Sequence, residues 1–327
     1  MTRRDLLKTA ALAAPAGWAA RPATRAAALQ WFQSARYGLF LHYTLASLFR
    51  RGKEDVKDRN IDWKQVQKRF TAEKFDADLI TSLAQEAGMR YVNLTTRHIG
   101  DMCLFRTSQS DFTSLNSPAK RDLVGELAEA CHKKGLGLFL YCPPDVARTD
   151  PPHLARNHAQ LRELLTQYGP VAGIWLDGIA YYYRNPELYT RLGETFALIR
   201  SLQRQCLISF KNGATGDEDF LAPEHFLRPA KGTPPALWEK LRRKPVEECT
   251  TIQTNPKAWI NDEDATHMTA DGVLANLKQR LDLRHNLLLN IGLRGDGSVH
   301  PADVRALRES GARAAKLIAL SREDSQE

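Results

Sequence analysis

Ionisable and polar aromatic side chains stand where short apolar runs of this chain end. Asp177 follows Gly-Ile-Trp-Leu, His42 and Tyr141 each follow Gly-Leu-Phe-Leu, and His98 comes soon after Val-Asn-Leu-Thr. A carboxylate beside a core-like run must be paired, hydrogen-bonded or functional, because burying an isolated charge is costly. We therefore interpret Asp177 as a functional carboxylate, and Gly178 after it leaves room for a substrate.

Other polar residues near the ends of apolar runs are weaker candidates. Glu247 and Glu248 lie beside one such run, and Asn290 comes late in the last one. A single histidine at a strand end is more often structural than catalytic. The two glutamates could equally be solvated charges in a chain in which 26% of residues are charged. These alternatives stay open at this point.

Motifs of several other enzyme classes do not occur in the sequence. There is no His-Glu-x-x-His zinc motif, no Gly-x-Ser-x-Gly nucleophile turn and no glycine-rich phosphate loop after a strand. Carboxylates, histidines, tyrosine and tryptophan gathered at one rim instead suit sugar recognition and cleavage of a glycosidic bond. We expect no cofactor and no metal at such a site.

The spacing of apolar residues predicts strands that alternate with helices. Seven apolar runs are typical of strands buried on both faces, and about six amphipathic stretches are typical of helices. This alternation predicts an α/β fold. A (β/α)8-type TIM barrel with an irregular or missing element fits it better than an open doubly-wound sheet, and in a barrel the chemistry lies at the carboxyl ends of strands. The predicted strands cover residues 37–43, 91–96, 136–142, 171–178, 206–210, 248–253 and 286–292, with an irregular stretch at 212–244.

Composition and charge narrow the class of protein. The 327 residues are 43% hydrophobic, which is typical of globular domains and allows a barrel of one domain. Part of the net charge of +8 comes from five basic residues in the first 28 positions, and elsewhere basic and acidic residues are interleaved. This pattern indicates a solvated mixed surface and no nucleic-acid partner. Five scattered cysteines without a Cys-x-x-Cys pair predict buried thiols and argue against a zinc ribbon.

The first 28 residues resemble a twin-arginine export signal. Arg3 and Arg4 precede a short Ala/Leu-rich run and then small residues, in the order that such signals show. The run is shorter than the roughly 20 residues that span a bilayer, so no membrane span is predicted. We expect a protein exported to the periplasm or beyond, with one barrel domain over residues 29–321 and a polar tail at 322–327. The sequence leaves the oligomeric state open.

Five longer blocks of the chain carry a family pattern. They are WFQSARYGLFLHYTLAS (31–47), FTAEKFDADLITSLAQEAGMRYVNLTTRH (70–98), KRDLVGELAEACHKKGLGLFLY (120–141), LRELLTQYGPVAGIWLDG (161–178) and NLLLNIGLRGDGSVHP (286–301). In this order they resemble the α-L-fucosidases of glycoside hydrolase family 29, from about Trp31 to about Gly311. The resemblance implies a retaining hydrolase that cleaves terminal α-L-fucosyl residues from glycans, so the expected partner is a carbohydrate.

The resemblance also implies roles for individual residues. Asp177 matches the family's catalytic nucleophile. The segment Val-Glu-Glu-Cys-Thr-Thr-Ile resembles the family's Trp-Glu-x-Cys-x-Thr-Ile, which makes Glu247 the candidate acid/base, with Glu248 or another carboxylate as the alternative. A retaining mechanism implies that the two carboxyl groups lie about 5–5.5 Å apart. The implied sugar-binding residues are His42, His98 and Tyr141.

The sequence departs from the family pattern at positions that bear on the substrate. Ile99 stands where the family has a second histidine. The family's Glu-Trp-Tyr segment is shortened, with Glu54 and Asp62 as candidate substitutes, and no C-terminal β-sandwich is expected. Two alternatives therefore stay open: a carbohydrate-binding barrel without catalysis, and an exo-glycosidase for a related sugar such as an α-galactoside.

Overall fold

The computed structural model describes Trp18 and residues 22–323, and it shows an α/β fold with one curled, parallel sheet of seven strands. The strands are β1 (Tyr37–His42), β2 (Tyr91–Thr95), β3 (Gly137–Cys142), β4 (Gly173–Leu176), β5 (Leu207–Phe210), β6 (Glu247–Thr251), β7 (Gln253–Asn255), β8 (Thr266–His267) and β9 (Asn286–Gly292). The helices are α1 (Arg25–Ala35), α2 (Lys53–Val56), α3 (Trp63–Gln67), α4 (Ala77–Glu86), α5 (Leu123–Lys134), α6 (His153–Gln167), α7 (Ile179–Arg184), α8 (Leu192–Leu202), α9 (Pro235–Leu241), α10 (Ala270–Asp282) and α11 (Pro301–Glu323). The seven predicted strands are confirmed.

The strands of the main sheet lie in the order β5-β4-β3-β2-β1-β9-β6, and every pairing is parallel. Each of these strands is buried along its whole length, which explains why the sequence shows continuous apolar runs rather than alternation. Because the strands are parallel, their carboxyl ends meet at one edge. The strands β7 and β8 form a separate antiparallel pair.

A short segment connects the two outer strands of the sheet. We call residues 220–224 the bridging segment. It makes isolated parallel bridges to both sides: Phe220 pairs with Ser209 of β5, and Leu221 pairs with Val246 just before β6. Glu224 pairs in the same way with Cys249. The stretch predicted to be irregular therefore holds strand-like residues, together with the short helix α9.

Helix α1 packs against the amino-terminal end of the sheet. Its Phe32 is fully buried, with ring centroids 4.4 Å from Phe220 and 5.7 Å from Phe139. Trp18 is also buried and lies 4.6 Å from Trp31 between ring centroids. Residues 1–17 and 19–21 of the predicted export signal lie outside the described residues, as do residues 324–327 of the predicted tail.

Outer helices begin and end with the residues that their capping chemistry favours. The Asp76 and Asp122 side chains accept backbone N–H groups at the starts of α4 and α5, and Gly135 ends α5 in a left-handed conformation. All five cysteines are buried and unpaired, as predicted. Within residues 22–323, no helix is long and apolar enough to cross a membrane.

Candidate active site

A cavity of about 420 Å³ opens at the carboxyl edge of the sheet. Of the five residues to which the family resemblance assigns roles, four line this cavity and the fifth, Glu247, does not. We call this space the inner cavity. The site residues that line it are His42, His98, Tyr141, Asp177, Lys211 and Glu224, with Trp175 and Trp259 as aromatic walls.

Asp177 is the first residue after β4 and is held by three donors. The hydroxyl of Tyr141 donates to its Oδ2 at 2.7 Å, and the N–H of Gly178 donates to its Oδ1 at 2.6 Å. The ammonium of Lys211 lies 3.4 Å from the same Oδ1. The side chain is still 25% exposed, so one side of the carboxylate faces the cavity.

The surroundings of Asp177 favour its ionised form. Burial alone would raise the pKa of this carboxyl, but Lys211, the Tyr141 hydroxyl and the Gly178 N–H outweigh that effect and lower it. Tyr141 in turn keeps its proton, because burial and the neighbouring carboxylate raise the pKa of its hydroxyl well above the usual value. The result is a carboxylate anion in a fixed orientation, which is what a nucleophile requires.

Lys211 joins Asp177 to a second carboxylate, that of Glu224. Its Nζ lies 2.5 Å from Glu224 Oε1 and 4.6 Å from the centre of the Trp175 ring. Lys211 Nζ lies 3.4 Å from Asp177 Oδ1 and 2.5 Å from Glu224 Oε1, so these two oxygens can be no farther apart than the sum of the two distances. That bound is compatible with the spacing of about 5–5.5 Å in retaining glycosidases. Glu224 is 49% exposed, so its carboxyl can reach a substrate.

The two glutamates considered from the sequence lie elsewhere. Glu247 is fully buried inside the sheet, where the Tyr91 hydroxyl donates to its Oε2 at 2.5 Å and Trp175 Nε1 donates to its Oε1 at 3.0 Å. Burial raises its pKa to about 7 although both hydrogen bonds act in the opposite direction. Glu248 points to the other face of β6, where His285 Nδ1 lies 2.6 Å from its Oε1. The structure therefore does not bring either of them to Asp177.

The register of the bridging segment explains this placement. Glu224 is level with Cys249, whereas Glu247 comes two residues earlier in the same strand. At about 3.3 Å per residue, Glu247 lies roughly 7 Å deeper along the strand direction. Trp175 forms the floor of the cavity, and the side chain of Glu247 lies below that floor, among aromatic residues.

His42 is oriented by Asn290. Its Nδ1 lies 2.6 Å from Asn290 Oδ1, and the amide nitrogen of Asn290 donates to the carbonyl of Trp259 and to Thr251 Oγ1. These bonds make the amide oxygen the acceptor, so His42 carries its proton on Nδ1 and leaves Nε2 as an acceptor. Burial and the nearby His98 lower the pKa of His42 well below its usual value. Nε2 of a neutral His42 can thus accept a hydrogen bond from a hydroxyl group of a ligand.

His98 lies beside His42, with 5.0 Å between ring centroids, and 5.4 Å from the ring of Tyr141. Its Nδ1 is buried and has no hydrogen-bond partner among the described residues. Burial lowers the pKa of His98 to about 4, so the ring is neutral at pH 7. An unpartnered buried nitrogen at a cavity wall fits a ligand that supplies a hydroxyl.

Glu54, Asp62 and Ile99, at which the sequence departs from the family pattern or offers a substitute, lie at different places in the fold. Glu54, in α2, lines the inner cavity, whereas Asp62 caps α3 by accepting the N–H groups of Lys64 and Gln65. Ile99 packs in an apolar cluster with Ala46, Val56 and Ile260. Glu54 is thus the candidate of the two that can meet a substrate.

One cluster in the described part of the chain has the composition of a metal site. His267, His300 and Asp303 place their ligand atoms within 4.8 Å of one another, outside the inner cavity. However, His267 Nδ1 bonds Asp303 Oδ1 at 2.6 Å, and the two imidazoles are stacked with 4.1 Å between centroids. Stacked rings direct their lone pairs side by side rather than at one point. We interpret the cluster as a hydrogen-bonded contact between β8 and α11.

Lys211 and Glu224 were missed in the sequence. Lys211 follows the apolar run of β5 directly, so the rule that strand ends carry chemistry could have found it. Glu224 follows Phe-Leu-Ala-Pro, a run too short and too interrupted by proline to be read as a strand.

The molecule belongs to the class of α/β proteins that have a curled parallel sheet and a polar, carboxylate-containing cavity at the carboxyl edge of that sheet. Within that class, the family model described as Alpha-L-fucosidase matches residues 9–314, nearly the whole chain. The chain belongs to the α-L-fucosidase family.

Individual relatives agree with the family model. The chain is 32% identical over 199 residues to the putative α-L-fucosidase 1 of Oryza sativa, covering 57% of this chain and 36% of that protein. It is 24% identical over 328 residues to the plasma α-L-fucosidase of Rattus norvegicus, covering 86% and 67%. Among solved structures, α-L-fucosidase isoenzyme 1 of Paenibacillus thiaminolyticus is 26% identical, with a TM-score of 0.69 and coverage of 88% and 75%. The match to the rice relative thus spans little more than a third of that protein's length.

Proposed function

We propose that this protein is a retaining glycoside hydrolase that removes terminal α-L-fucosyl residues from glycans. The observation that carries the proposal is the pair Asp177 and Glu224, held on either side of the Lys211 ammonium at one cavity. Family membership supports fucose as the sugar. The pair also bears on the alternative of a carbohydrate-binding barrel without catalysis, because such a protein would not need a second carboxylate beside the first.

In the proposed reaction, Asp177 attacks the anomeric carbon and the bond to the leaving oxygen breaks. Glu224 acts as the general acid and gives a proton to that oxygen. The covalent glycosyl-enzyme is then opened by water, which loses a proton to Glu224 as the new bond to the anomeric carbon forms and Asp177 leaves. The exposure of Glu224 allows this exchange with water, which the buried Glu247 could not make.

We further propose that the histidines and tyrosine bind the sugar. Nε2 of His42 and the unpartnered Nδ1 of His98 can bond hydroxyl groups. Tyr141 orients the nucleophile through its hydrogen bond to Asp177. The ring of Trp259, 5.6 Å from His42, offers an aromatic face to the C–H surface of the sugar.

The positions of these groups support a complete eight-stranded barrel, which we also propose. The bridging segment stands between β5 and β6 and pairs with both, so it supplies the eighth strand in an irregular form. Lys211 and Glu224 would then occupy neighbouring strand ends, as catalytic groups do in TIM barrels.

Replacing Asp177 by Asn tests the proposal. The variant should hydrolyse an aryl α-L-fucoside at least about 1,000-fold more slowly than wild type, because the nucleophile is lost. Removal of a catalytic residue from other enzymes lowers the rate by a similar order of magnitude. Asp111→Asn, at an exposed carboxylate outside the cavity, is the matched control and should keep full activity.

A panel of aryl glycosides separates the alternatives. Turnover of an α-galactoside but not of an α-L-fucoside would show that the sugar removed is galactose and not fucose. Binding of fucose without turnover of any glycoside would favour the carbohydrate-binding barrel without catalysis. Full activity of Asp177→Asn would remove the assigned nucleophile.

A further inference from the structure

A second, more open space adjoins the inner cavity. It has a volume of about 980 Å³ and shares Asp177, Lys211 and Glu224 with the inner cavity. Its walls come from α7 and from the loop that follows Glu224. We call it the outer cleft and define it by Tyr181, Arg184, Phe226, Arg228 and Lys231. Since both carboxylates line both spaces, the outer cleft lies directly beside the groups between which the glycosidic bond would be cleaved.

Two aromatic side chains of the outer cleft are exposed without a structural reason. Tyr181 and Phe226 are each 53% exposed, and few large apolar side chains in the described chain are so open. They belong to different elements, α7 and the loop after Glu224, yet line the same space. Exposed aromatic rings that line a cleft are suited to stack on the C–H face of a sugar ring.

An arginine guanidinium lies over each of these two rings. The guanidinium of Arg184 lies 5.0 Å from the centre of the Tyr181 ring, and that of Arg228 lies 4.7 Å from the centre of the Phe226 ring. Arg184 Nε also donates to the carbonyl of Ala180 at 3.0 Å. Arg184 is therefore held by its own helix and by Tyr181, and Arg228 by the ring of Phe226, and both arginines line the outer cleft.

The cations of the outer cleft have no carboxylate partners within the described chain. No ion pair involves Arg184, Arg228 or Lys231, whereas exposed Arg191 and Arg242 pair with acids three residues away. The carboxylates that line the cleft are Asp177 and Glu224, and both are already held by Lys211. The outer cleft thus has an uncompensated positive charge, which attracts anions.

We propose that the outer cleft binds the leaving-group part of the substrate and selects a glycan that carries an anionic group there, a sulfate or a carboxylate. The aromatic rings would pack on that sugar, while the two arginines would bond the anion, for which their planar fork of donors is suited. This inference rests on the proposed function, since it concerns the other side of the same glycosidic bond.

The test compares three fucosides that differ only in the leaving sugar: a neutral hexose, the same hexose bearing a sulfate, and the corresponding hexuronic acid. Wild-type protein should show a kcat/KM about tenfold higher for one or both anionic fucosides than for the neutral one, and the gap should narrow at high salt. The anion that gives the larger gap identifies which of the two the cleft takes.

A triple variant, Arg184→Gln, Arg228→Gln and Lys231→Gln, should abolish the preference for the anionic fucosides. The matched control is Arg243→Gln, Arg305→Gln and Lys316→Gln, which removes the same charges from exposed positions outside both cavities and should keep the preference. Thermal unfolding of both variants shows whether they fold.

The outcomes separate this inference from the proposed function. Turnover of all three fucosides with equal kcat/KM, or an unchanged preference in the triple variant, would overturn the inference alone. No turnover of any fucoside, aryl fucosides included, would overturn the proposed function and this inference with it. Binding of an oligonucleotide that the triple variant loses, without any preference among fucosides, would show a general polyanion surface and overturn the inference.

Discussion

Lys211 sets different conditions for the two carboxylates that it contacts. Asp177 also receives bonds from Tyr141 and Gly178 and is buried on most sides, so its ionised form is stabilised and its orientation fixed. Glu224 has the Lys211 contact and an open side. A nucleophile must stay charged and still, while an acid/base must exchange protons with water, and the two environments match those two tasks.

Glu224→Gln should lower kcat for an unactivated fucoside by about 100- to 10,000-fold, the usual contribution of a general acid/base. The loss should be smaller for a fucoside with a very good leaving group, which needs no protonation, and azide should restore turnover by replacing water. Steady-state kinetics on a series of aryl fucosides measures both effects.

Glu247→Gln is the matched comparison for Glu224→Gln. Since Glu247 lies below the cavity floor with Tyr91 and Trp175 as partners, the substitution should cost about 1–3 kcal/mol of unfolding free energy. Its kcat should stay within about threefold of wild type for every leaving group. A leaving-group dependence in Glu247→Gln, and none in Glu224→Gln, would reverse the two roles.

His98 should contribute stability that is lost as the pH drops from 6.5 towards 4. Burial lowers the pKa of His98 to about 4 from 6.5, so in this range the unfolded chain binds a proton that the folded chain does not. Stability is therefore present above pH 6.5 and lost as the pH falls, by about 2–3 kcal/mol from this residue. Urea unfolding at several pH values should show a shallower slope for His98→Gln, and an unchanged slope would contradict the assignment.

Residue types at strand ends predicted much of the cavity lining but not Glu224, the proposed acid/base. Asp177, His42, His98 and Tyr141 follow regular apolar runs, and the structure brings all four to one cavity. The family pattern led to Glu247, because a linear motif does not show how deep in the sheet a residue lies. The roles proposed for Asp177, Glu224 and the other site residues stay predictions until the variants are measured.

At the scale of elements, the turn after β4 determines where the nucleophile points. Gly178 has φ +91°, a left-handed conformation, and a Cβ there would lie 2.4 Å from the Cβ of Pro144. Its N–H donates to Asp177, so the turn and the carboxylate are one unit. Only glycine combines this backbone with so close a neighbour.

Gly178→Ala should therefore destabilise the protein by about 2 kcal/mol or more and reduce turnover at least tenfold through displacement of Asp177. Gly193→Ala, in α8, is the control: a Cβ there meets nothing within 4 Å, so stability should change by no more than about 1 kcal/mol and activity not at all. Chemical denaturation and kinetics on both variants test this. Equal effects of the two substitutions would contradict the role of the turn.

The bridging segment shows where element prediction from sequence fails. Strands β1 and β9 have six and seven buried residues in a row, which is a strong signal. The bridging segment has isolated bridges instead of a continuous ladder, and Pro223 cannot donate a backbone hydrogen bond. Its strand-like position depends on its neighbours β5 and β6, so local sequence cannot reveal it.

Across the whole molecule, alternation of strands and helices was enough to predict the α/β class and the seven strands of the main sheet, because buried parallel strands leave a continuous apolar signal. Helix α1 was not predicted, since its residues were assigned partly to the export signal. Its buried Phe32 joins the aromatic cluster at the amino-terminal end of the sheet. Export through residues 1–28 stays a prediction.

The two ends of the sheet have separate tasks. The amino-terminal end is packed with rings such as Phe32, Phe139 and Phe220 and holds the sheet together. The carboxyl end holds both cavities and the paired carboxylates. This division lets the site vary without loss of the core, and the exposed aromatic and basic side chains of the outer cleft lie in the part that is free to vary.

Locating a trapped glycosyl group tests most directly whether Asp177 is the nucleophile. Wild-type protein and the Glu224→Gln variant would be incubated with a 2-fluoro-fucosyl fluoride, digested and mapped by mass spectrometry. We expect one fluorofucosyl adduct per chain, on the peptide and side chain of Asp177. An adduct on another carboxylate, or none while the wild-type protein hydrolyses an aryl fucoside, would contradict the assignment of Asp177 as the nucleophile.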